Sequence, residues 1–287
     1  MGEMKIRIIT DSASDMDASA REGMSILPMA ITFGEEEFQD GVNLSHREFY
    51  ERLVESDELP RTSQVTPYAF EEAFRQAAEA GEQVVAVTMS SKLSGTWESA
   101  VTAARGFEGS VYVVDSENVT VGERALVEYA LRLRESGMEA REIAEELERS
   151  KKRIRLVALL DTLEYLKKGG RVSRLTAFAG GLLSIKPVVA AQDGEVVILG
   201  KARGSRQGNN LLVEQIRQAG GVDFSMPYFL GYTGLSDELL RKYIRDSEMI
   251  WKENTEQLDI STVGGTIGTH AGPGAIAVAF FCGDQKD

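Results

Sequence analysis

The run Gln83-Val-Val-Ala-Val-Thr88-Met-Ser-Ser-Lys-Leu-Ser94-Gly-Thr96 decides the architecture of this 287-residue chain. Its first six residues are uncharged and rich in valine, with no polar alternation, so they read as a strand buried on both faces. The hydroxyl-rich segment after them opens a helix near Ser94, and residues 110–114 supply the next buried strand. Strand, helix and strand in that order make a βαβ unit, which requires a parallel sheet covered by helices. Working outward, residues 5–10 form a short β-branched strand that ends in Asp11-Ser12, and residues 26–33 read as one further apolar segment turned by Gly34. Ser45-His-Arg-Glu48 is a capping box ahead of a helix with Phe49, Leu53 and Val54 on one face. Thr66-Pro67 is a cap with proline at the first helical position, followed by the stripe Phe70, Phe74, Ala77 and Ala78. Two more helical patterns cover residues 120–153.

The second half has a different grammar. Residues 154–160 form a strand, and Asp161-Thr-Leu-Glu164 caps a short helix that stops at Gly169-Gly170. Residues 185–191 and 196–202 flank Gln192-Asp193-Gly194-Glu195, whose Asp-Gly pair is a hairpin signal. Helices near 205–219 and 236–249, a strand at 228–232 and a central apolar strand at 274–281 complete a mixed sheet. The expected fold is therefore α/β with two domains. Residues 1–153 form an N-terminal parallel-sheet, Rossmann-like domain, residues 154–287 form a C-terminal mixed-sheet α/β domain, and ligand binds between them.

Charge is unevenly placed. The chain carries 32 Lys and Arg against 45 Asp and Glu, a formal net charge of −13. Residues 1–150 hold 14 basic and 30 acidic side chains, whereas residues 151–206 hold 12 basic and 4 acidic ones. An acidic chain is a poor partner for a phosphate backbone, so nucleic acid is not expected. Cys282 is the single cysteine, which rules out a disulfide within the chain and a thiolate metal cluster. No apolar run approaches the roughly 20 residues that span a bilayer, and the first residues lack a signal-peptide core. A cytoplasmic location without stable membrane insertion is expected.

Open parallel sheets bind ligands beyond the carboxyl ends of their strands. Here those ends carry Thr10-Asp11-Ser12, Thr88 through Thr96, and Asp115-Ser116, while Thr62-Ser63-Gln64 precedes a helix start. Hydroxyls beside helix N-termini suit a carboxylate or a phosphate, although each alone is also an ordinary cap. There is no G-x-x-x-x-G-K-[ST], no G-x-S-x-G and no H-E-x-x-H. Gly272-Pro-Gly274-Ala-Ile-Ala277 matches a dinucleotide pattern but precedes a strand, and so is a false match. Of the two histidines, His46 lies in the capping box as a solvated helix residue. His270 sits in the glycine-rich run Gly264 to Gly274, read as a loop that lets backbone approach a ligand. Lys167-Lys-Gly-Gly-Arg171-Val-Ser-Arg174, Lys186, Arg203 and Arg206 form a cationic rim for an anion or an acidic partner, or helix-end cations that complement the dipole.

Asp11-Ser12, Thr62-Ser-Gln64, Ser90-Ser-Lys-Leu-Ser94-Gly-Thr96, Leu163-Glu-Tyr-Leu-Lys-Lys-Gly-Gly-Arg171 and Gly268-Thr-His270-Ala-Gly-Pro-Gly274 occur in the order seen in the DegV family. The chain resembles these bacterial fatty-acid-binding proteins, the lipid-carrying partners of fatty acid kinase, over nearly its whole length. It departs from many members at Val65, where they have proline after the Thr-Ser-Gln motif. The resemblance implies two α/β domains with an acyl chain buried between them. It also implies a fatty-acid carboxylate held at Thr62, Ser63, Ser94, Gly95, Thr96 and His270, with Arg171 and Arg203 as basic residues facing the head group and the kinase. Phe178, Leu182, Leu183 and Ile185 are candidates for the tunnel wall. The implied role is that of a substrate carrier without a cofactor and without catalysis of its own: it binds a long-chain fatty acid and presents its carboxylate to a separate fatty acid kinase that makes the acyl-phosphate. Two alternatives remain at this point: a serine esterase or acyl hydrolase using Ser94 with His270, and a binding module for another carboxylate or phosphate metabolite.

Overall fold

The computed structural model describes residues 5–17, 22–56, 58–172, 185–251, 254 and 258–283, and they form three sheets. β1 (Lys5–Asp11), β2 (Met24–Leu27), β6 (Glu82–Thr88) and β7 (Val111–Asp115) make a four-stranded sheet in the order β2-β1-β6-β7, parallel throughout. Val84 to Val87 are all at most 1% exposed. Since successive residues of a strand point to opposite faces, both faces are covered. α2 (Pro67–Glu79) with α3 (Thr96–Ala104), and α4 (Thr120–Glu135) with α5 (Ala140–Ser150), are the helix pairs packed on β6.

The apolar segment 26–33 is not one strand. It breaks at Pro28, which cannot donate to a ladder. β2 stays in the parallel sheet, while β3 (Ala30–Phe33) joins β4 (Glu36–Gln39) and β5 (Arg61–Ser63) in a small antiparallel sheet ordered β4-β3-β5. Residues 61–63 are thus strand, ahead of the helix α2. α1 (His46–Glu55) starts at the capping box: Ser45 Oγ accepts from Glu48 N, and Glu48 accepts from Ser45 N.

β8 (Ile154–Leu159), β9 (Ile185–Gln192), β10 (Glu195–Arg203), β11 (Tyr228–Tyr232), β12 (Ile260–Thr262) and β13 (Ile276–Phe281) form a six-stranded mixed sheet, ordered β10-β9-β8-β13-β11-β12. All its pairings are antiparallel except β11 with β12. The β9–β10 turn has positive φ at both Asp193 (49°) and Gly194 (82°), the backbone that an Asp-Gly pair favours. Every residue of β13 is buried, as befits its place between β8 and β11. α6 (Glu164–Gly169), α7 (Ser205–Gln218), α8 (Glu238–Asp246) and α9 (Glu248–Trp251) complete this half, with α7 packed on β8, β9 and β10.

α4 ties the sheets together. It packs on β1 and β6 and also on β8, β11 and β13, and eleven of its sixteen residues are buried. One apolar core therefore runs from Ile8 and Val85 through Leu126 to Leu156 and Phe281. Between β12 and β13 lies α10 (Gly265–Ala271). The sequence reads this glycine-rich run as a loop, but tertiary contacts make it a helix. A Cβ at Gly265 would lie 2.5 Å from Ile31 Cδ1, and one at Gly268 would lie 2.7 Å from Phe49 Cε1. The glycines serve the close approach of α10 to β3 and α1, and not a loop.

Candidate functional site

Between the parallel sheet and the mixed sheet lies a cavity of about 110 Å³. About 10–15 Å³ of such space holds one water, so there is room for roughly seven to eleven water-sized groups. Met29, Met89, Leu93 and Val119 line it from the first half of the chain, and Leu156, Leu160, Val189, Ala190, Ala191, Val196 and Ile267 from the second. The polar groups in its wall are Thr62, Gln64, Ser94, Arg171, Thr266 and His270.

Each polar group is fixed by its element. Pairing of Ile31 with Thr62 sets the orientation of Thr62 on β5, and its Oγ1 lies 2.9 Å from His270 Nε2. Ser94 stands in the turn after β6, where its N–H donates to Ser90 O, and its Oγ lies 2.9 Å from Thr96 Oγ1. Thr96 Oγ1 also accepts from Val65 N at 3.3 Å, which joins this turn to the segment after β5. Gly95 has no room for a side chain, because a Cβ there would lie 2.1 Å from Gln64 Oε1. Gln64 Nε2 in turn donates to Ser99 Oγ at 2.8 Å. Arg171 donates from Nη1 to Gly169 O and from Nε to Leu93 O. The same turn makes a second link: Ser90 Oγ donates to Gly194 O at 2.6 Å, bonding the β9–β10 tip to the first half of the chain.

His270 is the most perturbed of these groups. Burial, with the Arg171 guanidinium nearby, lowers its pKa to about 4, so the ring is neutral at physiological pH. Its Nδ1 is buried without a partner among the described residues, and Gly169 packs so closely that a Cβ there would lie 2.2 Å from it. A neutral ring of this kind gains a proton only beside an added negative charge, which stabilises imidazolium.

The structure brings together Thr62, Ser94, Thr96, His270 and Arg171, four of them in the cavity wall and Thr96 directly behind Ser94. It does not bring in every expected residue. Ser63 is exposed on β5 and faces away from the wall, as alternation beside Thr62 dictates. Arg203 ends β10, exposed, with its N–H on Gln207 Oε1, and does not line the cavity. Ile185 begins β9 half-buried and also lies outside the wall. Phe178, Leu182 and Leu183 lie outside the described residues. The pairing that a Ser94–His270 nucleophile requires is not formed, since Ser94 bonds Thr96 and His270 bonds Thr62. His46 is half-buried beside Asp15 and lowers that carboxyl's otherwise burial-raised pKa. Gln64 and Thr266 are wall residues that the sequence reading missed. Gln64 stood within a quoted motif, while Thr266 was hidden in a run read as loop.

The fold and cavity define an α/β protein in which the mixed sheet and the segments beyond the parallel sheet's strands wall a mostly apolar compartment with a polar group of hydroxyls, arginine and neutral histidine. The family model described as "Uncharacterised protein, DegV family" matches residues 5–282. The chain belongs to the DegV family. A DegV domain-containing protein of Caldanaerobacter subterraneus subsp. tengcongensis is 32% identical over 281 residues, covering 96% of this chain and 98% of the relative. Among solved structures, a fatty-acid-binding DegV family protein from Thermus thermophilus superposes with a TM-score of 0.86 at 29% identity, covering 97% of this chain and 100% of the other. DegV of Bacillus subtilis, described as a fatty acid binding protein, gives 0.81 at 26% identity, covering 96% and 98%. Among the described residues no helix is long and apolar enough to cross a membrane.

Proposed function

We propose that the cavity holds a long-chain fatty acid, with its carboxylate at Thr62, Ser94 and His270 beside Arg171, and that the protein presents this carboxylate to a separate fatty acid kinase. The observation that carries the reading is the division of the wall: aliphatic side chains from the connections beyond the parallel sheet and from the strands of the mixed sheet, and polar groups that include hydroxyls and a buried neutral histidine. Each buried CH₂ contributes about 0.8 kcal/mol without needing a polar partner, while a carboxylate needs donors such as these hydroxyls. The relatives described as fatty-acid-binding support the ligand class. The exposed cations Lys167, Arg171 and Arg203, in the basic segment 151–206, support an acidic or phosphate-bearing partner at that face. The protein acts as a carrier and the kinase performs the chemistry.

Denaturing mass spectrometry of protein purified from bacterial cells should show a fatty acid released in near-stoichiometric amount. Adding ATP and a fatty acid kinase should convert that ligand to acyl-phosphate. Lipid-free preparations that also fail to take up palmitate would sink the reading, and turnover of acyl esters that vanishes in Ser94→Ala would replace it with a hydrolase.

Affinity should also depend on pH. The empty site holds His270 neutral down to about pH 4, and a bound carboxylate raises that value, so binding takes up a proton. Affinity for palmitate should therefore rise as pH falls toward that value, and the slope should disappear in His270→Gln. A flat profile in the unsubstituted protein contradicts carboxylate contact at His270.

A further inference from the structure

We infer that Asp40 is a positioning residue of the carboxylate site, acting through α10 on His270; this rests on the fatty-acid reading above. α10 is weak by sequence, with seven residues that include Gly265 and Gly268. Short helices and helical glycines are both unfavourable in isolation. Its N-terminus is held instead by two buried carboxylates from distant parts of the chain. Gly264 N donates to Asp15 Oδ1 at 2.6 Å. Gly265 N and Thr266 N donate to Asp40 Oδ1 and Oδ2, each at 3.0 Å, and Thr266 Oγ1 donates to Oδ2 at 2.5 Å. Asp40 is 3% exposed and lines no part of the cavity. It borders an open cleft with Asp15 and His46.

α10 lies between these two places. Thr266, Ile267, His270 and Ala271 all face the cavity, and Thr266 is also the residue that Asp40 binds twice. A turn of about 15° moves an atom at the roughly 6 Å outer radius of a helix by about 1.5 Å. That is enough to break the 2.9 Å contact of His270 with Thr62. The carboxylate of Asp40 thus sets the rotation of the helix, and with it the placement of the imidazole.

The test compares palmitate with methyl palmitate, which shares the chain and lacks the charge, on Asp40→Asn and the unsubstituted protein. The side-chain amide keeps one acceptor and loses the other. We expect palmitate affinity to fall about tenfold, methyl palmitate affinity to change less than twofold, and the ¹⁵N signals of the His270 ring to move. Equal losses for both ligands, or no loss for palmitate, would overturn the inference. Thr266→Val removes a single bond to Asp40 and should repeat the pattern at about threefold if Asp40→Asn does not fold. Should the unsubstituted protein bind neither ligand, the fatty-acid reading fails, and the ring signals still decide this one: unchanged His270 shifts in Asp40→Asn refute positioning.

Discussion

Replacing Thr62 and Ser94 together by alanine is expected to weaken palmitate binding by about 3 kcal/mol, roughly 150-fold, while leaving methyl palmitate nearly unaffected. Each hydroxyl lost removes a bond to a charged group worth about 1.5–3 kcal/mol. The sum is kept to the low end because two donors on one carboxylate are coupled. Thr62→Ala carries a second effect: it removes the partner of His270 Nε2 in a ring whose Nδ1 has none among the described residues. The single Thr62 variant should therefore lose more than the single Ser94 variant, whose neighbour Thr96 keeps its bond from Val65 N. Titration of both ligands on the three variants checks the order. Parallel loss of acid and ester would mean that the site reads shape and not charge.

Asp11→Ala should destabilise the fold by about 3 kcal/mol. Asp11 is fully buried at the end of β1. Its Oδ1 accepts from Ala13 N at 3.0 Å and its Oδ2 from Met89 N at 2.9 Å, tying β1 to the end of β6. Alanine leaves two buried N–H groups without a partner, each costing about 1–3 kcal/mol. The loss should also depend on pH. Burial raises the Asp11 pKa to about 7; the Met89 and Ala13 N–H groups oppose the rise, and Asp15 and Asp40 add to it. A carboxyl with a raised folded-state pKa lends stability that is complete below its unfolded value and is lost as pH climbs through the folded one. Between pH 6 and pH 8 that amounts to about 1.4 kcal/mol, so the alanine penalty should be larger at pH 6. Urea unfolding at the two values measures it. A penalty below about 1 kcal/mol, or one independent of pH, would contradict the burial assigned to Asp11.

Much of the fold was legible because its signals are local. The Asp193-Gly194 turn, the Ser45 capping box and the Thr66-Pro67 start each need only a few adjacent residues, and all three form as their chemistry dictates. The valine-rich run at 83–88 announced a doubly covered strand without help from elsewhere. Pro28 could have divided residues 26–33, since a proline inside a strand pattern argues against continuity. α10 could not be read in this way. Its glycines signal a loop, and what makes it a helix is Asp40, distant in sequence, together with Phe49 and Tyr50 pressed against its missing side chains. The site shows the same split. Thr62, Ser94 and His270 were visible as motifs, but the contact between Thr62 and His270 spans 208 positions and exists only after α10 has packed beside β5. Ser63 looked equivalent to Thr62 until strand pairing turned it outward.

The position of β13 has a consequence for synthesis. It follows the other twelve strands along the chain, yet it lies inside the mixed sheet, between β8 and β11. Until residue 281 has left the ribosome, β8 has no neighbour on that side, and the face of α4 that will meet β13 stays wet. Domains that fold as they are made bury apolar surface progressively; here the mixed sheet is complete only once β13 has emerged. A nascent chain stalled anywhere before β13 would display the future cavity wall as sticky surface, and the finished vessel forms in one late step.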